Sequence, residues 1–133
     1  MNVKQAQAFL AREFPQNSCE IIEFRDNTAV VKQVISYEHL RPGGTVSGPT
    51  MMMLADCAAY VRILAEYGEV ALAVTTNLNI NFLRKPVANR DIVAECTLLK
   101  AGKRLVVCEI SIYSELDPDP VAHVTATYSI PPK

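Results

Sequence analysis

Met51-Met52-Met53-Leu54-Ala55-Asp56-Cys57-Ala58-Ala59-Tyr60-Val61 is a helix-forming run with a single charge, Asp56, at its centre. On the helix it predicts, apolar side chains fall on every side of that carboxylate. A helix that is apolar all round is buried, so the rest of the chain must wrap it. A buried carboxylate without a partner is costly. It is kept where it is paired or where it does chemistry. Asp56 is therefore either a bonded structural acid or a working group.

Upstream of this run lies His39-Leu40-Arg41-Pro42-Gly43-Gly44-Thr45-Val46-Ser47-Gly48, a loop rich in helix and strand breakers. Pro49 suits the first turn of the helix, where a missing N–H costs nothing. Gly68 suits its C-terminal end, after Tyr67. Residues 2–14 predict a short amphipathic helix, with Val3, Ala6, Phe9, Leu10 and Phe14 near the 3.6 period and Pro15 stopping it. Strands are expected at 20–25 and 28–37, turned by Asp26-Asn27. Beyond the long helix the period becomes two, and strands are expected at 70–83, 90–101, 104–115 and 120–130. Ala101-Gly102-Lys103 and Asp117-Pro118-Asp119-Pro120 supply hairpin turns. One long apolar helix against an antiparallel sheet of five or six strands is an α+β layout, and the sheet must curve around the helix.

The 133 residues fit a single domain, 1–133, of ordinary globular composition, 50% hydrophobic and 20% charged. A net charge of −1 gives no general attraction to nucleic acid or to an anionic membrane. The first residues lack the layout of a signal peptide, and no apolar run reaches the length of a membrane span. Cys19, Cys57, Cys96 and Cys108 form no C-x-x-C pair. Each sits in or beside an apolar stretch, as reduced thiols do in a cytoplasmic protein. No metal or cofactor is expected. His39 and His123 make no local Cys-His signature, and read as structural.

Three blocks together resemble a known family. Pro42-Gly43-Gly44-Thr45-Val46-Ser47-Gly48-Pro49 is similar to the loop "G-x-V-H-G-G" of phenylacetate-pathway-type (PaaI-like) acyl-CoA thioesterases. Leu54-Ala55-Asp56-Cys57-Ala58 is similar to their helix block "L-A-D-x-A", and Asn79-Ile80-Asn81-Phe82-Leu83-Arg84-Lys85-Pro86 to their strand end "N-I-x-F-L-R-P". The resemblance spans roughly residues 37–130. It implies the hotdog fold, in which a curved antiparallel sheet wraps a central helix, and hydrolysis of an acyl-CoA thioester. It implies Asp56 as general base or nucleophile and the Gly48 backbone N–H as oxyanion donor. It also implies that Thr75 assists the carboxylate or its water. Two positions depart from the pattern: Ser47-Gly48-Pro49 replaces His-Gly-Gly, and Arg41 stands where relatives often have asparagine.

The residues support that chemistry. An N–H in the first turn of a helix has no intrahelical acceptor and lies at the positive end of the macrodipole. At Gly48 the missing side chain lets a thioester approach. Gly48 and Asp56 are separated by about 12 Å along the axis, at ~1.5 Å per residue. One carbonyl cannot touch both, so a working site takes Gly48 from one chain and Asp56 from another, as two chains related by a two-fold axis would supply; the resemblance implies the same, a dimer or dimer of dimers. Ser47 is a candidate catalytic hydroxyl or an N-cap. Tyr60 lies one turn beyond Asp56 and either lines the acyl pocket or packs in the core. Strand parity does not choose between Thr75 and Thr76 for the site. Arg41, Arg84, Lys85, Lys103 and Arg104 are candidates for the coenzyme A phosphates or simply a solvated rim. Two other readings stand beside the hydrolase. One is an acyl-CoA-binding protein without catalysis, suggested by Ser47 and Pro49. The other is a dehydratase, disfavoured because neither histidine lies on the central helix.

Overall fold

A computed structural model describes residues 1–132. In chain order the elements are α1 (Val3–Glu13), β1 (Glu20–Arg25), β2 (Thr28–Gln33), a short 3-10 turn (Tyr37–His39), α2 (Gly48–Tyr67), β3 (Val74–Phe82), β4 (Ile92–Ala101), β5 (Leu105–Ser114) and β6 (Pro120–Ser129). The six strands form one antiparallel sheet in the order β1-β2-β4-β5-β6-β3. This is the expected α+β hotdog architecture, with six strands and α2 laid along the sheet.

Period two explains which face meets the helix. Ile92, Ala94 and Cys96 on β4, Val106, Cys108, Ile110 and Ile112 on β5, and Val124, Ala126 and Tyr128 on β6 turn inward and are buried. They pack with Leu54, Ala55, Ala58, Val61, Ile63 and Leu64 of α2 in one core. Arg62 is tolerated inside α2 because its Nε and Nη2 find acceptors. It donates to the Asn27 carbonyl at 3.0 Å, to Asn27 Oδ1 at 2.7 Å and to Glu66 at 3.0 Å, tying α2 to the β1–β2 turn. α1 starts on a capping box between Asn2 and Gln5 and buries Ala6, Phe9 and Leu10.

Three expectations are corrected. β3 begins at Val74 rather than residue 70, because residues 70–73 make a turn in which the Ala73 N–H donates to the Val70 carbonyl at 2.9 Å. β2 ends at Gln33, not Tyr37. Beyond it side chains claim the backbone: Asp91 Oδ1 accepts the Ile35 N–H at 2.9 Å, and His39 Nδ1 accepts the Ser36 N–H at 2.9 Å, which closes the 3-10 turn. Nor is α2 enclosed on every side. Met52 and Met53 are 42% and 44% exposed and Asp56 is half-buried. The sheet curls around the rest of the helix and stops at β3, an edge strand paired only with β6. The open stripe of α2 runs beside that edge, where Val74 and Phe82 are also exposed.

Candidate active site

Asp56 sits two turns into α2, where the helix leaves the cover of the sheet. Its Oδ1 accepts the Thr75 hydroxyl at 2.6 Å and lies 2.7 Å from the Tyr128 hydroxyl, which is also 3.0 Å from the Asp56 main-chain carbonyl. Among the described residues nothing donates to Oδ2. The carboxylate faces a cavity of about 550 Å³ whose walls include Phe14, Met53, Cys57, Tyr60, Ala73 and Val74. Asp56 is thus neither unpartnered nor deeply buried: one oxygen is held, and the other has no donor among the described residues.

Thr75 reaches Asp56 because β3 carries a bulge. The β3–β6 register pairs Thr75 with Tyr128 and then slips between Thr75 and Asn77. A bulge re-aims side chains and breaks simple alternation. Thr76 turns away from the cavity, and its hydroxyl donates to the Thr127 carbonyl at 3.2 Å. Tyr60 is both a core residue and part of the cavity wall. It is buried, packs edge-on against Phe14 with ring centroids 6.1 Å apart, donates to the Ala71 carbonyl at 3.0 Å, and still lines the cavity.

Gly48 opens into a different space. A tight turn precedes it: the Arg41 N–H donates to the Thr45 carbonyl at 2.9 Å and the Gly44 N–H to the Arg41 carbonyl at 3.0 Å. Gly43 and Gly44 have φ of +98° and +78°, which side-chain-bearing residues rarely adopt. Ser47 caps α2, accepting the Thr50 N–H at 3.4 Å and lying 2.8 Å from the Thr50 hydroxyl. Its hydroxyl is therefore employed as a cap. The Gly48 N–H has no acceptor among the described residues. The Phe82 ring lies over Gly48 so closely that a Cβ there would meet it at 3.2 Å.

Arg41, Arg84 and Lys85 line the same groove as Gly48, about 510 Å³ in volume. Arg84 is already committed: its guanidinium pairs with Asp117 and donates to the Asp119 carbonyl at 2.8 Å. The Asp119 N–H and then that guanidinium hold the Asp117 carboxyl below the usual carboxylate range. Lys103 and Arg104 are not part of this groove. They line a separate hollow with Tyr67, Val70 and Ile130. His39 closes the 3-10 turn and His123 lies beside Glu109, so neither reaches Asp56 or Gly48.

Tyr128 is the member of the site that the sequence reading missed. Burial, then the Asp56 charge, pushes its phenol well above the usual tyrosine range, so it is a permanent hydrogen-bond donor. Its only signal in the sequence is a hydroxyl at an inward position of β6, because a buried tyrosine needs an acceptor.

Comparison with known proteins adds the following. The family model described as the thioesterase superfamily matches residues 43–120, from Gly43 to Pro120. No curated protein sequence matches the chain. A candidate thioesterase from Silicibacter sp. TM1040, solved as a crystal structure, is 42% identical over 99% of this chain and 93% of its own, with a TM-score of 0.91. The Escherichia coli PaaI protein from the phenylacetic acid degradation operon is 20% identical over 99% of this chain and 97% of its own, at 0.80. A Streptococcus mutans protein solved with acetyl CoA is 18% identical over 88% of this chain and 91% of its own, at 0.71. At such identities the last two share the fold.

Proposed function

The chain belongs to the thioesterase superfamily, and from that premise we propose that it hydrolyses an acyl-CoA thioester to the free acid and coenzyme A at a site shared between two subunits. As a hotdog-fold thioester hydrolase it needs an activated oxygen nucleophile and a donor for the oxyanion. The observation that carries the assignment is the Asp56 carboxylate on the cavity wall, with Oδ1 held by two hydroxyls and Oδ2 without a donor among the described residues.

In this reading Oδ2 takes a proton from water as the water oxygen adds to the thioester carbon, or it attacks that carbon itself, and water then cleaves the resulting mixed anhydride to the free acid and restores the carboxylate. The carbonyl oxygen gains charge and rests on the free Gly48 N–H. The C–S bond then breaks, and the coenzyme A sulfur leaves as a thiolate or takes up the proton. Gly48 and Asp56 open into different cavities of one chain. That separation supports a dimer or dimer of dimers in which α2 of one subunit presents Gly48 to Asp56 of the next. The open stripe of Met52 and Met53 and the free edge of β3 suit such a contact. Arg41 and Lys85, beside Gly48, are the groups proposed for the coenzyme A phosphates. Ser47 acts through the helix cap.

We read residues 1–133 as one such domain. No helix among the described residues is long and apolar enough to cross a membrane, and four free thiols suit the reducing cytoplasm. The acetyl CoA bound by the Streptococcus mutans relative supports coenzyme A as the carrier. Free-thiol release from acetyl-, octanoyl-, palmitoyl- and benzoyl-CoA tests the reading. At least one should be turned over, and Asp56→Asn should lower that rate roughly 10²-fold or more. Near wild-type turnover by Asp56→Asn removes Asp56 from the mechanism. Tight binding of these thioesters without thiol release makes the protein a binder.

A further inference from the structure

We propose that Tyr128 is a positioning residue for Asp56: its hydroxyl and that of Thr75 occupy Oδ1 together, so Oδ2 alone faces the substrate. The inference rests on the reading of Asp56 as the working acid. The geometry is specific. Tyr128 and Thr75 are register partners on adjacent strands, and both hydroxyls converge on one oxygen, at 2.7 Å and 2.6 Å. The phenol has one proton and two acceptors in reach, Oδ1 and the Asp56 main-chain carbonyl. That carbonyl lies within α2, where the helix ladder already uses it, and the charged oxygen is the stronger acceptor.

The two donors differ in support. Thr75 stands on the edge strand and is exposed, whereas Tyr128 is 2% exposed on β6, flanked by β5 and β3. Two bonds to a single oxygen fix the plane of the carboxyl group. A carboxylate held by only one of them can turn about χ2 and exchange its oxygens. Tyr128 is then the rigid half of the clamp and Thr75 the half that the bulge brings in. Neither needs to touch the thioester.

The test uses the full-length protein and whichever of acetyl-, octanoyl-, palmitoyl- or benzoyl-CoA it hydrolyses fastest. Tyr128→Phe should lower kcat about tenfold, as expected for one hydrogen bond to a charged group, while KM stays within about twofold. Thr75→Ala should lower kcat similarly and Thr75→Ser should restore it. In an Asp56→Asn background, Tyr128→Phe should change the residual rate no further, because the group it acts through is gone. Wild-type kcat for Tyr128→Phe beside a dead Asp56→Asn overturns the positioning role and leaves the acid in place. The same fractional loss in both backgrounds makes Tyr128 a packing residue and also overturns it. An active Asp56→Asn overturns the acid and the clamp together.

Discussion

At Gly48 a missing side chain serves two neighbours at once. The Phe82 ring packs against the bare Cα, and the N–H stays open to the groove. A methyl group added there would meet the ring at 3.2 Å, and the ring, half-exposed, can swing away over the N–H. Gly48→Ala should therefore fold with little change in melting temperature yet lose kcat/KM by about 10²-fold, the scale of an oxyanion donor. Steady-state kinetics beside a thermal melt check this, and unchanged kcat/KM would take the oxyanion role from Gly48. Asp56 and Gly48 were both legible in the sequence, one as a charge in an apolar helix and the other as a breaker at its start. The other half of the acid's surroundings was not. Tyr128 reads as a core aromatic until the register sets it against Thr75. The choice between Thr75 and Thr76 depends on a bulge, which no alternation pattern contains. The Asp117 that occupies Arg84 comes from a turn more than thirty residues away.

α2 is the element on which both halves of the proposed site ride, and the Ser47 and Thr50 side chains hold its first turn. Ser47 engages the Thr50 N–H and hydroxyl, while the Ser47 N–H and the Thr50 hydroxyl both donate to the His39 carbonyl, at 2.9 Å and 3.3 Å. Ser47→Ala should cost about 1 kcal/mol of stability, as the loss of an N-cap does, with kcat nearly unchanged. Denaturant titration and kinetics on the same sample measure the two effects. A collapse of kcat at wild-type stability would return the hydroxyl to the chemistry. Helix limits, hairpin turns and most strand bounds follow from local chemistry, which is why the periodicity located them. The end of β2 does not, because Asp91 and His39 supply its alternative partners through tertiary contact and a tight turn. That Lys103 and Arg104 line a hollow apart from Gly48 was not legible for a related reason. A strand end is visible in sequence, but which end of the sheet it shares with a helix terminus depends on strand order.

At the scale of the molecule, the separation of Gly48 from Asp56 becomes a prediction about mixtures. Asp56→Ala chains and chains carrying Gly48→Val should each be inactive alone. Subunits exchanged at equal amounts should regain about a quarter of wild-type sites, since half the dimers are mixed and each has one intact site. Activity that stays absent after verified exchange, or a working monomer by light scattering, would place the whole site in one chain. The strand order β1-β2-β4-β5-β6-β3 could not be read from the strands themselves, because it depends on where α2 sends the chain. That order also buries the four thiols to two depths, Cys19 and Cys57 near the edge of the core and Cys96 and Cys108 at its centre. Cys96 and Cys108 lie under the central strands with no exposure, whereas Cys57 forms part of the cavity wall beside Asn17. An alkylating reagent therefore meets a graded series of barriers. It gains Cys57 through local breathing of the pocket but reaches the central pair only when the sheet itself comes apart. The chain thus carries an internal ruler, in which the rates at which separate cysteines are modified report separately on loosening of the pocket and on global opening.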